Sequence, residues 1–461
     1  MIVTIAIGLG VVFAVGTAVL TRVPIDRVAF FAVGALTLTV TWNGIRIGGG
    51  AFGDGFLALA AITVLLHVFV DKKPITMPPW LLACAGLMIV AALVESIFPP
   101  SLSIQNLTAL QFNQQFVVVN VPINVFALAR PNLPALVKWE VALLIVPMLY
   151  AVVATTPWRI NRLLDLWTIG AALNALDGIA SRAGFHSLSP ATSFGTRSAG
   201  LTIHPNYLSL TVLFAMPTAL RWVGRSRRGT VAGLGTTLLL IGGQYVTGSR
   251  DGDVAAVIGL LLCIVFMPRL RPMLRYLIPA LGLIAVVVLA FTHLGRSIVS
   301  QLRLGGPSTS TSGSNYERAI AAHVAEAQIS SRPIAGVGFS VDNDAQNIYL
   351  QILAAGGAIA MAAFVVLIGG LAGCVRRSLR GPVREEAIAI GICLVVWLVN
   401  GYYDSQIADK YLYVLPAILI GCARVTSMLA APASAESIDV AVPRAGPARV
   451  LEPVGAGVAQ L

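Results

Sequence analysis

NIYLQILAAGGAIAMAAFVVLIGGLAG, residues 347–373, runs without one Asp, Glu, Lys or Arg and stops just short of Arg376 and Arg377. A helix needs about 20 apolar residues to cross the hydrocarbon core of a bilayer, and a surface helix of a soluble protein keeps one face for charge. This stretch keeps none, so it reads as a membrane span. Other apolar runs fall at about 2–20, 28–42, 55–70, 79–97, 139–155, 163–180, 201–220, 229–247, 253–267, 276–294, 385–401 and 411–429. Composition agrees: 57% of the 461 residues are hydrophobic and 11% charged, against roughly 25% charged in an average soluble domain. The fold class is therefore all-α, a polytopic integral membrane protein of about 12–13 transmembrane helices over residues 1–429. Residues 430–461, rich in Ala, Pro and Gly and without periodicity, read as a disordered cytoplasmic tail.

A net charge of +11 would point a soluble chain toward nucleic acid. Here the basic residues sit in short loops between apolar runs, as topology signals do, and no nucleic-acid partner is implied. If loops alternate sides, one set holds Arg22, Arg27, Lys72, Lys73, Arg159, Arg162, Arg221, Arg225, Arg227, Arg228, Arg269, Arg271, Arg275, Arg376, Arg377, Arg380, Arg384, Arg424, Arg444 and Arg449. That set outnumbers the other, which comprises Arg46, Arg130, Lys138, Arg182, Arg197, Arg250, Arg296, Arg303, Arg318, Arg332 and Lys410. The richer set is expected in the cytoplasm. The N-terminal run lacks a basic leader and reads as a retained first span. The five cysteines lie within or at the ends of apolar runs without a CxxC pair, and read as helix-packing residues.

Three segments on the poorer face are long for connectors. Residues 98–137 are mildly apolar and read as lying along the membrane surface. Residues 181–200 form a polar loop. The outer loop 295–346 opens with a flexible GGPSTSTSGS (305–314), followed by NYERAIAAHVAEAQISS with apolar residues at helical spacing.

The same face gathers Gly200-x-x-x-His204-Pro205-Asn206 opening a span and Gly248-Ser249-Arg250 closing a later one. Arg318, Pro333-x-x-Gly336-x-Gly338 and Asn347-x-Tyr349-Leu350-Gln351 follow. In this order, over about residues 195–375, the motifs resemble the O-antigen ligase and polymerase family of membrane glycosyltransferases. The resemblance implies a helical enzyme that takes a glycan from a polyprenyl diphosphate-linked donor on the outer leaflet and joins it to a glycan or lipid acceptor hydroxyl. Its partners would be that donor, the acceptor and membrane lipids, with no cofactor and no metal. It makes Arg250, Arg318, Gln346 and Asn347 the catalytic candidates, and Arg197, His204, Asn206, Tyr349 and Gln351 the substrate-binding ones. One position departs from the family, which usually carries His where this chain has Gln346. Gln hydrogen-bonds but takes no proton near neutral pH.

The arginines make sense without the family, because a planar, permanently charged guanidinium binds a diphosphate bidentately. Each candidate also has a structural reading. Arg250 stands beside Asp251 and Asp253, Arg318 beside Glu317, and either can form a local ion pair; Arg197 can anchor the interface. His204 is a proton carrier or a helix cap, Tyr349 lines the site or marks the membrane interface, and Gly336 and Gly338 serve a tight turn. The pairs Asp251/Asp253 and Asp342/Asp344 invite a divalent cation, although such pairs arise readily in polar loops. Two other functions compete. A secondary transporter of an anionic solute would use broken helices and ionisable groups near mid-membrane. An inactive scaffold of a polysaccharide assembly complex would account for Gln346.

Overall fold

The computed structural model describes residues 24–47, 50–72, 75–97, 107–112, 118–123, 132–189, 197–272, 309–339 and 345–430. Of the described residues, 78% are helical. The helices are α1 (Ile25–Thr39), α2 (Phe52–Asp71), α3 (Pro79–Ile97), α4 (Asn132–Glu140), α5 (Val146–Val153), α6 (Pro157–Arg182), α7 (Pro205–Leu220), α8 (Arg227–Thr247), α9 (Arg250–Phe266), α10 (Thr309–Ser331), α11 (Ile348–Ser378), α12 (Arg384–Asn400) and α13 (Lys410–Ala430). A π-helical turn, Val141–Ile145, joins α4 to α5.

Every expected apolar run on described residues coincides with a helix; the runs at 2–20 and 276–294, like the tail 431–461, lie outside them. Among the described residues five helices are long and apolar enough to cross a membrane: Phe52–Asp71, Ala135–Val153, Pro157–Arg182, Ile348–Ser378 and Lys410–Ala430. Others are shorter. At 15 residues, α1 reaches about 22 Å, less than the roughly 30 Å hydrocarbon core.

The structure adds detail in two of the long connecting segments. Within 98–137 the chain forms an antiparallel hairpin, Leu107–Phe112 paired with Val118–Ile123, where the β-branched run Val118, Val119 and Val121 favours extended backbone. The segment expected to be flexible up to Ser314 is helical from Thr309. Ala325 of this helix, α10, is buried with Ala345 and Ala354 of the α11 region.

Local sequence sets the helix ends. Thr156, Ser226 and Ser249 cap α6, α8 and α9, accepting from Arg159, Gly229 and Gly252 backbone N–H groups, with Pro157 and Pro205 at first-turn positions. Gly248 closes α8 in the left-handed region at φ 58°. At the centre stand α7 and α13, buried almost all round, as expected of helices that are apolar on every face. A side chain at Gly170 would collide with the Leu38 carbonyl, so α6 lies directly against α1, the close approach that small residues allow between membrane helices.

Cross-links fix the two ends of the bundle. At one, Arg159 of α6 pairs with Asp26 of α1 at 2.7 Å, Arg225 pairs with Glu386 of α12, Arg269 meets Glu385 at 2.8 Å, and Arg424 of α13 donates to the Ala151 carbonyl. At the other, Lys410 pairs with Asp54, the Gly44 N–H donates to Leu201 O, the Ile348 N–H donates to Gly401 O, and the rings of Tyr207 and Tyr411 meet at 6.1 Å. The described members of the richer basic set share the first end, hereafter the basic end. The candidate site residues share the second.

α11 is broken. Gly357 sits at φ 62°, ψ −156° inside it, and the loop 332–338 docks at the break. The N–H groups of Val337 and Gly338 donate to the carbonyls of Ala354 and Ala355, while those of Ala358 and Ile359 donate to Pro333 and Ile334. The loop thus replaces the helical bonds that the break removes, which the low-dielectric interior requires. Gly336 and Gly338 serve this docking: a side chain at Gly336 would collide with the Ala355 backbone.

Candidate functional site

The first site corner is built where α7 and α9 begin and α8 ends. His204 caps α7, its Nδ1 accepting from the Asn206 N–H at 3.2 Å. Nδ1 therefore carries no proton in this arrangement, and the ring serves as the helix cap. Two residues on, Asn206 Oδ1 accepts from Arg197 Nη2 at 2.6 Å, and Arg197 Nε donates to the carbonyl of Thr247, the last residue of α8, at 2.7 Å. Arg197 thereby straps the start of α7 to the end of α8.

Arg250 opens α9 half-buried, and its side chain has no ion pair or hydrogen bond among the described residues. The local pairing that the sequence allowed does not form, because both neighbouring carboxylates are engaged elsewhere. Asp251 Oδ2 accepts from Arg318 Nη2 at 2.9 Å, and Asp253 Oδ1 accepts from Gln244 Nε2 at 3.1 Å. Arg318 is partly exposed and joins α10 to α9 through this pair. No cluster of three metal-ligating side chains occurs among the described residues, and Asp342 and Asp344 lie outside them.

The second corner is the entry to α11. Gln346 adopts φ 51°, a left-handed conformation uncommon for a residue with a long side chain. The residues around it hold that turn. Asn347 Oδ1 caps α11 by accepting from the Tyr349 and Leu350 N–H groups at 2.9 and 3.1 Å, while its Nδ2 donates to Tyr402 O at 3.1 Å. Gln351 Oε1 accepts from the Ala345 N–H at 3.2 Å. Tyr349 points its hydroxyl at Leu398 O, 2.8 Å away, and its ring edge at Phe364. Asn347, Tyr349 and Gln351 are thus each engaged within the fold around this turn. Both corners lie at the same end of the bundle, bridged by α10, which packs on α11 and pairs with α9.

The chain has no match among known family models or curated proteins.

Sequence reasoning missed a set of polar groups beside the first corner. Asp409, in the connector before α13, hydrogen-bonds Tyr207 and lies 3.8 Å from Lys138 Nζ; burial lifts its carboxyl above the usual range. Asp404 accepts from Gln406 at 2.6 Å, and Gln406 in turn meets the Tyr411 hydroxyl. The signal was present in the polar connector DSQIADK (404–410), and in Tyr207 lying three residues after His204. Only packing shows that the two stretches meet.

Proposed function

We propose that this chain is a membrane glycosyltransferase of the O-antigen ligase and polymerase kind, transferring a glycan from a polyprenyl diphosphate-linked donor to an acceptor hydroxyl. The observation that carries the reading is the Arg250 corner: a half-buried guanidinium without a carboxylate partner among the described residues, beside Arg318 and Arg197. A diphosphate leaving group supplies the negative charge that such a corner lacks.

In this reading the basic end faces the cytoplasm and the site end faces outward. The diphosphate is held by Arg250, with Arg318 and Arg197 completing the positive field. The acceptor oxygen bonds to the anomeric carbon as the bond from that carbon to the diphosphate oxygen breaks; the electron pair leaves with the diphosphate, and the acceptor proton passes to solvent or phosphate. Gln346 orients the acceptor through its amide. No metal is required, since the guanidiniums neutralise the leaving group.

The break in α11 is the feature that favours a transporter, because transporters bind ions at carbonyls freed in this way. Here the Ala354 and Ala355 carbonyls already accept from the 333–338 loop, and the arginines cluster at an end of the bundle. Both points favour the transferase. The deciding experiment supplies purified protein with a lipid-linked glycan and an acceptor. Transfer that disappears in Arg250→Ala supports the reading, and no transfer by the parent across donors of differing glycan would favour an inactive scaffold.

A further inference from the structure

At the basic end, the last turns of α11 and α13 and the turn between α11 and α12 border an open cavity of about 760 Å³, lined by Arg376, Arg377, Arg380, Gly381, Thr426 and Leu429 among others. None of the three arginine side chains has an ion pair or hydrogen bond among the described residues. The carboxylates nearby in the fold are already used: Glu385 and Glu386 by Arg225 and Arg269, and Asp165 by Arg221 and Arg162. Topology signalling and the dipole at the end of α11 both account for positive charge here. Neither calls for three guanidiniums on one concavity.

The rest of the lining narrows the ligand. Thr426 and Ser427 donate their hydroxyls back to the Cys422 and Ala423 carbonyls at 3.0 and 2.9 Å, which leaves the guanidiniums to act as donors. Gly381 lies so close to Thr426 that a side chain there would collide, so the floor is pinned to α13. Leu429, 67% exposed, and Ala430 form an apolar rim. Arginines beside an apolar rim at the membrane edge match a phosphate joined to acyl chains, whereas a free phosphate would leave the rim unused.

We propose that this cavity binds the headgroup phosphate of an anionic phospholipid, with Arg376, Arg377 and Arg380 as its ligands, independently of the glycan-transfer reading. The test uses the full-length protein, delipidated in neutral detergent, and follows thermal unfolding during titration with short-chain phosphatidylglycerol, phosphatidylcholine or inorganic phosphate. Phosphatidylglycerol should raise the midpoint saturably and phosphatidylcholine should not. The triple variant Arg376→Gln/Arg377→Gln/Arg380→Gln should need about tenfold more lipid or more. Arg27→Gln/Arg227→Gln/Arg228→Gln removes as much charge from the same end away from the cavity, and should respond like the parent. Arg376→Lys/Arg377→Lys/Arg380→Lys, which keeps the topology signal, should show an intermediate response and guards against misfolding of the Gln variant. Equal responses from both Gln variants, or inorganic phosphate matching the lipid, would overturn the proposal.

Discussion

Arg250 and Arg318 differ in what their neighbours ask of them. Arg318 shares its charge with Asp251, whereas the carboxylates near Arg250 are committed elsewhere. Arg250→Ala should therefore lower transfer by about 10²-fold or more, on the scale of losing one donor to a developing negative charge, with Arg250→Lys recovering part of it because the bidentate fork is missing. Arg318→Ala should also lower transfer, and Asp251→Asn should mildly affect it by freeing Arg318. Single-turnover assays with one lipid-linked donor check these, and parental rates in both Ala variants would refute the phosphate clamp. At His204 the cap predicts that Ala destabilises the fold by about 1 kcal/mol while Asn, a good cap, restores it. The His204→Asn protein should keep the parental pH profile of transfer; a lost acidic limb would make His204 a base instead. Asp409 gives a second pH signature. Its carboxyl is raised above the ordinary 3.8 by burial, so folding favours the protonated form. Stability from this group is full below the unfolded value and falls as pH rises through the folded one. Thermal midpoints measured from pH 4 upward should fall less steeply in Asp409→Asn than in the parent.

At the scale of elements, the docking of loop 332–338 into the broken α11 rests on glycines at two facing positions. Gly357→Ala would place a side chain at positive φ and into the Ile334 backbone, and Gly336→Ala would do the same against Ala355. Each should destabilise the protein by about 1–3 kcal/mol, and the double variant should cost less than the sum because both disrupt one docking. Detergent thermal unfolding of the three variants tests this, with strict additivity counting against a shared element. The sequence signalled glycines for a turn at 336 and 338. It could not show that the turn closes on a helix some 20 residues later, because Gly356-Gly357 within an apolar run looks like ordinary small-residue packing. The start of α10 was hidden for a related reason. Thr309–Ser314 is composed of poor helix formers, and it becomes helical as the lead-in to a helix held by Ala325 against α11.

For the whole molecule, the five cysteines are all buried, so the natural protein should be unreactive toward a membrane-impermeant thiol reagent. Ser310→Cys, on the α10 side, should then label in intact cells. Arg228→Cys, at the basic end, should label only after the inner leaflet is opened, and the reverse pattern would invert the proposed topology. Helical membrane class, the positions of the apolar elements and the division of basic residues into two sets are legible along the chain. Each follows from local chemistry: apolar length against bilayer thickness, and charge at helix ends. Which polar groups find one another depends on the packed fold. Asp251 turns to Arg318 across 67 residues, Asp409 reaches Tyr207, Asn347 reaches Tyr402 O and Tyr349 reaches Leu398 O. Pairing among distant side chains depends on how helices cross and rotate. That arrangement is settled by the packing of surfaces like Gly170 against α1, which no single stretch of sequence contains.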